Sequence, residues 1–412
     1  SNFMKEKIKI AIVGLGQIGY TMLPTFLSTN EYEIIAVCDV YQDRIDKTVD
    51  YLLEKGEKPP KTYINFEDLI NNREIEAVYV ATSWEDHIHQ SIRCMEAGIP
   101  VGMEVGGAYS IRDCWKLVKA YEKTKTPIML LENCCFDKFE LLSTSLARKG
   151  MLGDIVYCHG ASSHDLRGEI TGGNINRHYR LRNYISRNCE NYPTHELGPI
   201  AKLLNINRGN RLVSVSSFAT PSKGLEQFID DERCIDKNLK GQKFKQGDIV
   251  TTTIMCENGE VITMTLDTTL PTYYSRDFIV RGTKGLTKQE NDMILIDKKF
   301  EEEWQPDPSK FLEANIHNAK DYSEYLPECW KNRDNENKDL WHGGMDVVML
   351  EEFARCLKNK LPMPIDVYDA AMWYCITPLS EKSIKHHGKP YKIPDLTKGK
   401  YKTNKPLDVV KL

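Results

Sequence analysis

Short apolar runs and amphipathic stretches alternate along the first third of the chain. The apolar runs predict strands at residues 8–13, 33–38, 75–81, 99–104 and 127–131. The amphipathic stretches predict helices at residues 18–29, 42–55, 86–97 and 111–125. Strands that alternate with helices in this way predict a parallel sheet covered by helices on both faces.

After about residue 132 the pattern changes to strict apolar–polar alternation. It predicts strands at 154–163, 211–220, 248–256, 260–267 and 276–282, with a hairpin turn at Asn258-Gly259, and helices at 137–149, 193–205 and 345–358. The polar segment 301–343 has weak periodicity, and we expect it to be irregular. We therefore predict two domains: a doubly wound Rossmann domain (1–131), and an α+β domain (132–412) with a large, mostly antiparallel sheet and C-terminal helices available to pack back on the first domain.

The first predicted strand runs directly into Gly14-Leu15-Gly16-Gln17-Ile18-Gly19. In a GxGxxG turn, Gly14 allows the tight turn, Gly16 lets the backbone approach a pyrophosphate, and Gly19 lets the helix pack close to the sheet. The pyrophosphate would lie at the helix N-terminus, where free N–H groups favour an anion. Asp39, at the end of the second strand, would accept from a ribose 2′-hydroxyl and repel a 2′-phosphate. The sequence therefore predicts a site for NAD rather than NADP.

Polar residues also follow the next three predicted strands. The segment Thr82-Ser83-Trp84-Glu85-Asp86-His87 follows the third strand, Glu104 ends the fourth and Glu132 follows the fifth. Ligands of open parallel sheets gather at the carboxyl ends of the strands, so these residues are candidates for cofactor contact. Two alternatives stay open: the first segment could simply cap a helix through Ser83 or Asp86, and the Glu104 carboxylate could face solvent.

The densest group of reactive side chains lies in the second half, at Arg177–Arg180 and at Asn191-Tyr192-Pro193-Thr194-His195. Pro193 suits the first turn of a helix, with Asn191 or Tyr192 near the cap. Tyr192 and His195 are three residues apart and can project from one side of that turn, where a phenol and an imidazole could transfer protons at a sugar. Spacing alone favours a capped helix with a hydrogen-bonded core histidine, and it favours sheet-face aromatics at Tyr273-Tyr274.

Composition narrows the classes of function. The 412 residues are 41% hydrophobic and 28% charged, with a formal net charge of −4 and no basic block, which argues against nucleic acid as a partner. No apolar stretch approaches the length of a membrane span, and no signal peptide is visible. The twelve cysteines lack C-x-x-C spacing and the ten histidines lack metal-site spacing, so we expect a cytoplasmic protein without a metal.

The sequence resembles known families over nearly its whole length. The stretches Glu76–Thr82 and Ala97–Glu104 resemble the glucose-fructose oxidoreductase / inositol dehydrogenase (Gfo/Idh/MocA) superfamily. A closer resemblance, to glycoside hydrolase family 109, which contains NAD-dependent α-N-acetylgalactosaminidases, is carried by Glu132–Cys135, His164–Arg167, Asn191–Pro199, Asn207–Gly209, His342–Asp346 and Asp366–Ala371.

The resemblance implies roles for individual residues. It assigns cofactor contact to Gln17, Ile18, Asp39, Trp84 to His87, Glu104, Val105 and Asn133. It assigns substrate contact to Arg180, Tyr192, Pro193, Thr194, His195 and Tyr274, with Glu132 close to the sugar. It also implies a homo-oligomer formed through the antiparallel sheet.

Two departures from the family patterns bear on the activity. Most superfamily dehydrogenases carry Glu-Lys-Pro where this chain has Glu104-Val105-Gly106, so the usual proton relay for alcohol oxidation is missing, as it is in the glycosidase branch. The branch is also expected to carry a substrate-contacting tyrosine at the position of Ser162.

The resemblance thus implies a redox-neutral glycosidase. Carbon 3 of the sugar is oxidised transiently, the group at carbon 1 is eliminated, water adds, and carbon 3 is reduced again. An NAD-dependent sugar or polyol dehydrogenase and a non-catalytic protein that binds NAD and sugar remain the alternatives.

Overall fold

The computed structural model describes residues 6–298, 305–331, 333 and 341–412. These residues form two compact units. The first contains the chain up to residue 133 together with 333–375, and the second contains 134–332 together with 376–412, in each case within the described ranges.

Fourteen strands are formed by the described residues. They are β1 (Ile8–Val13), β2 (Tyr32–Cys38), β3 (Lys61–Tyr63), β4 (Ala77–Val80), β5 (Val101–Met103), β6 (Ile128–Leu130), β7 (Ile155–Ser163), β8 (Leu212–Ala219), β9 (Ile249–Cys256), β10 (Val261–Asp267), β11 (Ile279–Gly282), β12 (Gly285–Lys288), β13 (Met293–Ile296) and β14 (Tyr391–Lys392).

The same part of the chain forms fifteen α-helices. They are α1 (Gln17–Thr21), α2 (Leu23–Ser28), α3 (Gln42–Glu54), α4 (Phe66–Ile70), α5 (His87–Glu96), α6 (Ile111–Thr124), α7 (Lys138–Arg148), α8 (Arg167–Thr171), α9 (Gly173–Asn176), α10 (Arg180–Ser186), α11 (Thr194–Leu203), α12 (Gly224–Phe228), α13 (Pro308–Asn315), α14 (Met345–Asn359) and α15 (Val367–Lys385).

The first unit contains the predicted doubly wound sheet. Its six strands are parallel in the order β3-β2-β1-β4-β5-β6. Strands β1 to β3 extend to one side of the sheet and β4 to β6 to the other, so the strand order reverses between the neighbours β1 and β4. This is the strand order of dinucleotide-binding folds, in which ligands bind at the reversal point. The structure therefore confirms the predicted fold class of this domain.

The helix predicted at 18–29 is divided into α1 and α2 at Met22. Pro24 lies in the first turn of α2, where its missing N–H is tolerated but its ring interrupts a continuous helix. Strand β3 and helix α4 were not predicted from the sequence, because runs of three and five residues carry too little periodicity.

The second unit contains an eight-stranded sheet in the order β13-β12-β11-β7-β10-β9-β8-β14. All neighbours are antiparallel except β7 and β10, which confirms the predicted mostly antiparallel sheet. Along β9 the residues alternate between buried and exposed, with Val250, Thr252 and Ile254 inward. Helix α11 packs on the buried face against β7.

Several elements differ from the predictions. Helix α13 lies in the segment 301–343 that we expected to be irregular; residues 301–304, 332 and 334–340 of that segment lie outside the described part. Helix α15 was missed because its residues from Ala370 to Ile376 are buried on all sides, so it has no amphipathic period. No helix in the described ranges has the length and apolar character needed to cross a membrane.

Candidate functional site

The glycine turn after β1 leaves no room for side chains. Gly14 has φ of +95°, and a Cβ atom there would lie 2.3 Å from the carbonyl oxygen of Ala81, just after β4. A Cβ at Gly19 would lie 1.8 Å from the carbonyl oxygen of Gly14. Gly16 is the N-cap of α1 and supplies no side-chain cap, so the first N–H groups of the helix stay available to an anion. These observations fit the binding of a dinucleotide pyrophosphate.

Asp39 is tied to that turn by hydrogen bonds. Its Oδ2 accepts from the Leu15 backbone N–H at 2.8 Å, and its Oδ1 accepts from the Tyr41 N–H at 2.9 Å. The Arg44 Nη1 lies 3.9 Å from Oδ2. A carboxylate has about four acceptor positions, so it can also accept from a ribose hydroxyl. Gln17 and Ile18, which form the first turn of α1, are exposed and half-buried respectively.

The segment after β4 is held inside the first unit by packing and hydrogen bonds. Trp84 and His87 are buried, and the His87 Nε2 lies 3.0 Å from the Thr82 carbonyl oxygen. Burial lowers the pKa of His87 to about 4, so its imidazole is neutral at neutral pH. Neither Ser83 nor Asp86 makes a side-chain capping hydrogen bond, so capping does not explain this segment.

Glu104 faces into the first unit rather than toward solvent. The Tyr79 hydroxyl donates to its Oε1 at 2.8 Å, and the Val105 N–H donates to its Oε2 at 2.9 Å. Loss of solvent, with smaller contributions from the charges of Asp346 and Glu132, raises the pKa of Glu104 to about 8 despite these hydrogen bonds. Glu104 is therefore mainly protonated at neutral pH.

Two further aromatic side chains lie along the backbone from Glu104 to Gly106. The Tyr374 hydroxyl donates to the Glu104 carbonyl oxygen at 2.5 Å and lies 3.2 Å from the His87 Nδ1. A Cβ at Gly106 would lie 3.0 Å from the Trp84 ring. Sequence reasoning missed Tyr79 and Tyr374, because one lies inside a buried strand and the other in α15.

Asn133 is oriented by a histidine and an aspartate from far along the chain. Its Nδ2 donates to the Asp346 Oδ1 at 2.9 Å, and the His342 Nδ1 lies 2.6 Å from the Asp346 Oδ2. Asp346 is buried at the start of α14. The motif His342–Asp346, which carries part of the family resemblance, thus fixes the side chain of Asn133, a predicted cofactor contact. Glu132, beside Asn133, is fully buried, and Val105 is also buried.

In the second unit, Tyr192 and His195 lie side by side. The Tyr192 hydroxyl is 3.4 Å from the His195 Nε2, and the two rings meet edge to face at 4.8 Å. The Pro193 carbonyl oxygen accepts the first hydrogen bond of α11, from the Leu197 N–H, and Pro193 already has helical dihedrals of φ −77° and ψ −18°, so Tyr192 lies next to the cap. The three-residue spacing across this turn brings the phenol and imidazole together.

Arg180 covers one face of this pair. Its guanidinium carbon lies 5.1 Å from the centre of the Tyr192 ring, and its Nη1 donates to the Glu169 Oε2 at 2.7 Å. Burial alone would raise the pKa of Glu169, but Arg180 and His178 lower it below the ordinary value. Arg180 and Glu169 therefore form a charged pair beside Tyr192.

Four more predicted or related positions lie in this unit: Tyr274, His164, Thr194 and Ser162. The Tyr274 ring meets the His164 ring edge to face at 5.4 Å, and the Tyr274 hydroxyl accepts from the Arg276 Nη1 at 3.1 Å. Burial, followed by the charge of Arg180, lowers the pKa of His164, and His195 adds to this effect. The Thr194 hydroxyl is buried and has no hydrogen-bond partner among the residues that the structure describes. Ser162 lies in β7 opposite Leu266.

The two units thus offer different chemistry. The first presents a glycine turn, an acceptor carboxylate and a protonated carboxyl group, which together fit NAD. The second presents a phenol, an imidazole and a guanidinium group, which can move protons and stabilise an oxyanion.

Comparisons with known proteins agree with this division. Residues 8–131 match the family model of the NAD-binding Rossmann fold of the oxidoreductase family (Gfo/Idh/MocA), and residues 136–403 match the C-terminal domain of glycosyl hydrolase 109. A glycosyl hydrolase family 109 protein of Stenotrophomonas maltophilia (strain K279a) is 36% identical, with 98% of this chain and 92% of that protein covered. An alpha-N-acetylgalactosaminidase of Tannerella forsythia is 32% identical, covering 97% of this chain and 88% of that protein.

Solved structures share the fold at low sequence identity. Levoglucosan dehydrogenase in complex with NADH and levoglucosan has a TM-score of 0.69 at 14% identity, covering 94% of this chain and 100% of that one. An NAD binding oxidoreductase from Klebsiella pneumoniae has a TM-score of 0.71 at 11% identity, with the same coverage.

The fold and the first unit define an NAD-dependent enzyme of the Gfo/Idh/MocA superfamily. Within that superfamily, the chain belongs to glycosyl hydrolase family 109.

Proposed function

We propose that this enzyme hydrolyses α-N-acetylgalactosaminides without net oxidation or reduction. The observation that carries the proposal is the Tyr192–His195 pair, whose hydroxyl and imidazole nitrogen are 3.4 Å apart beside the Arg180 guanidinium. The name of the Tannerella forsythia relative supports the choice of sugar.

The cofactor would be held by the residues of the first unit. The glycine turn would bind the pyrophosphate, Asp39 the ribose, and the group formed by Trp84, His87 and Glu104 the nicotinamide end. When bound, NAD supplies a hydride acceptor for carbon 3 of the sugar and later returns the hydride. Val105 and Gly106 occupy the positions where superfamily dehydrogenases carry lysine and proline, so this chain's proton transfers depend on other side chains.

We assign His195 to the proton of the carbon 3 hydroxyl and Tyr192 to the proton on carbon 2, and the two roles can be exchanged. A ketone at carbon 3 acidifies the carbon 2 proton, because the resulting charge is delocalised onto the ketone oxygen. Removal of that proton breaks the bond between carbon 1 and the leaving oxygen, which takes up a proton. Water then adds at carbon 1, and carbon 2 regains its proton.

Three other residues would support these transfers. Arg180 would stabilise the negative oxygen that develops at carbon 3. Thr194 and Tyr274 would donate hydrogen bonds to the sugar, and the buried Glu132 carboxyl would lie close to it. Several hydrogen bonds to one sugar would hold its carbon atoms in a fixed orientation, which lowers the entropic part of the barrier.

We also propose that the protein works in the cytoplasm as a homo-oligomer. None of the twelve cysteines, which all lie in the described part of the chain, forms a disulfide, and eleven are buried, which suits a reducing compartment. The outward face of the large sheet exposes Phe218 and Met255, which a second copy could cover. Sedimentation velocity tests this assembly, and a monomer at micromolar concentration would contradict it.

The decisive experiment for the reaction follows two signals at once. Purified protein is incubated with nitrophenyl α- and β-glycosides, including N-acetylgalactosaminides, with and without added NAD. We expect many turnovers of nitrophenol from the α-N-acetylgalactosaminide while NADH does not accumulate. NADH that rises in step with sugar oxidation, without nitrophenol, would instead establish a dehydrogenase. NAD and sugar binding without either signal would establish a non-catalytic protein.

A further inference from the structure

Two buried carboxyl groups flank the segment that carries Tyr192 and His195, and the reaction proposed above uses neither. Glu190 precedes Tyr192 by two residues, and Glu196 directly follows His195. The exposed fractions of Glu190 and Glu196 are 0% and 1%. The two carboxyl groups lie within hydrogen-bonding reach of each other, and the buried Glu190 Oε2 has no other hydrogen-bond partner among the residues that the structure describes. The contact between the two carboxyl groups therefore joins the two ends of the segment from Glu190 to Glu196.

Each end of the segment is also fixed to a neighbouring element. The Glu190 N–H donates to the Ser380 Oγ at 2.9 Å, and the Thr377 Oγ1 donates to the Glu190 carbonyl oxygen at 2.7 Å, both from α15. At the other end, the Glu196 carbonyl oxygen packs so closely on β7 that a Cβ at Gly160 would lie 2.4 Å from it.

The Glu190 carboxyl group acts on the segment directly as well. Its Oε1 accepts from the Tyr192 backbone N–H at 3.2 Å. Glu190 therefore holds the backbone of Tyr192, and its bond to Glu196 fixes that backbone relative to the first turn of α11, which carries His195.

A hydrogen bond between two carboxyl groups requires a proton on at least one of them. Burial raises the pKa of Glu190 to about 7, although Glu196 and the Tyr192 N–H lower it. Cys189 and the Arg187–Glu381 ion pair, which joins Arg187 to α15 at 2.9 Å, lie near this position. Helix α7, which also packs on α11, carries the buried Glu140, whose charge is offset by Arg276. The contacts with α15 are made by the hydroxyl groups of Ser380 and Thr377, and the contact with β7 by the backbone at Gly160.

We propose that the Glu190–Glu196 pair is a positioning device, which shares one proton and thereby holds the Tyr192 hydroxyl against the His195 imidazole. Loss of the shared proton places two negative charges side by side, so the segment opens and turnover falls as the pH rises past neutrality. The predicted fall of turnover with pH rests on the proposed function, whereas the sharing of one proton by Glu190 and Glu196 does not.

The kinetic test compares variants of Glu196 over a range of pH, using whichever reaction the wild type catalyses. Glu196→Gln keeps a donor for Glu190 at every pH, so we expect kcat close to wild type at neutral pH and an alkaline limit shifted upward. Glu196→Leu removes the hydrogen bond to Glu190. We expect kcat to fall about tenfold, because this is the usual effect of losing one hydrogen bond to a buried charged group. NAD affinity should stay unchanged. Glu313→Gln, an exposed position on α13, serves as the matched control with an unchanged profile.

A second measurement needs no substrate. The infrared spectrum at neutral pH in heavy water separates the carbonyl stretch of a protonated carboxyl group from carboxylate bands. The spectrum of each variant is subtracted from that of the wild type. We expect the difference spectrum for Glu196→Gln to contain one band of a protonated carboxyl group, and the difference spectrum for Glu313→Gln to lack it. No such band, or identical pH profiles for wild type and Glu196→Gln, would overturn the proposal. The expected band in a protein that hydrolyses no glycoside would contradict the proposed function and leave the shared proton standing.

Discussion

Tyr192 and His195 are adjacent because the turn before α11 brings positions three apart to one side. Their polar atoms are 3.4 Å apart, slightly longer than a strong hydrogen bond, as is common for catalytic pairs before substrate binds.

We predict that Tyr192→Phe and His195→Gln each lower kcat by on the order of 10²–10⁴-fold, because each removes a general acid or base. NAD affinity, measured by fluorescence titration, should stay unchanged. Tyr273→Phe is the matched control, since the Tyr273 hydroxyl donates to Glu290 on the surface, 2.7 Å away. Wild-type turnover in either of the first two variants would exclude that residue from proton transfer.

A second residue-scale prediction concerns Glu104, whose pKa is raised from 4.5 to about 8 by burial. Between these two pH values the unfolded chain has released the proton and the folded chain keeps it, so raising the pH favours unfolding. The stabilisation is complete below pH 4.5 and is lost as the pH rises through about 8. We predict that Glu104→Gln makes the unfolding free energy less dependent on pH in this window, by at most about 1.4 kcal/mol per pH unit.

The measurement is urea unfolding of both proteins between about pH 5 and pH 9. This range roughly spans the titration of Glu104 in the unfolded chain and in the folded chain. Glu140, whose pKa burial raises to about 7, contributes in the same direction in both proteins and cancels in the comparison. Parallel stability curves would contradict the predicted proton on Glu104.

At the scale of elements, close approach between a strand and a helix decides where the reactive pair lies. Strand β7 meets α11 at Gly160, and a Cβ there would lie 2.4 Å from the Glu196 carbonyl oxygen. A glycine inside a strand is a signal of close backbone approach, so the sequence marks the position but does not name its partner.

We predict that Gly160→Ala displaces the start of α11, because a contact of 2.4 Å with backbone is too short to persist. Overpacking of this kind costs about 1–3 kcal/mol in stability. Turnover should fall strongly while NAD binding, which uses the first unit, is retained. Gly168→Ala is the control, since a Cβ there meets nothing within 4 Å. Equal turnover in the two variants would show that this contact does not position the pair.

For the whole molecule, NAD binding is linked to stability. A ligand that binds only the folded protein stabilises it by about 2.7 kcal/mol at a concentration 100 times its dissociation constant. We therefore predict that NAD raises the temperature of unfolding by several degrees, since each kcal/mol is worth about 2–4 °C for a unit of this size.

The measurement is calorimetry with and without NAD, with NADP as the matched comparison. Asp39 and its hydrogen bonds to Leu15 and Tyr41 should make NADP the weaker stabiliser. Asp39→Ala should remove most of the NAD effect, and an undiminished shift in that variant would assign ribose binding to another residue.

The sequence by itself determined the alternation of strands and helices in the first unit, the glycine turn with Asp39, and the mostly antiparallel second sheet. These features are local, since apolar periodicity and glycine spacing act within a few residues along the chain. Short or fully buried elements such as β3, β12 and α15 carried no such period, and the sequence did not reveal them.

Only the tertiary structure decided which distant residues meet. Tyr79 and Tyr374 contact Glu104, and Asp346 orients Asn133. It also decided the direction of the pKa shifts of Glu104 and His87, because those follow from burial. Burial and long-range contact arise from packing of the whole chain, so no stretch of sequence contains them.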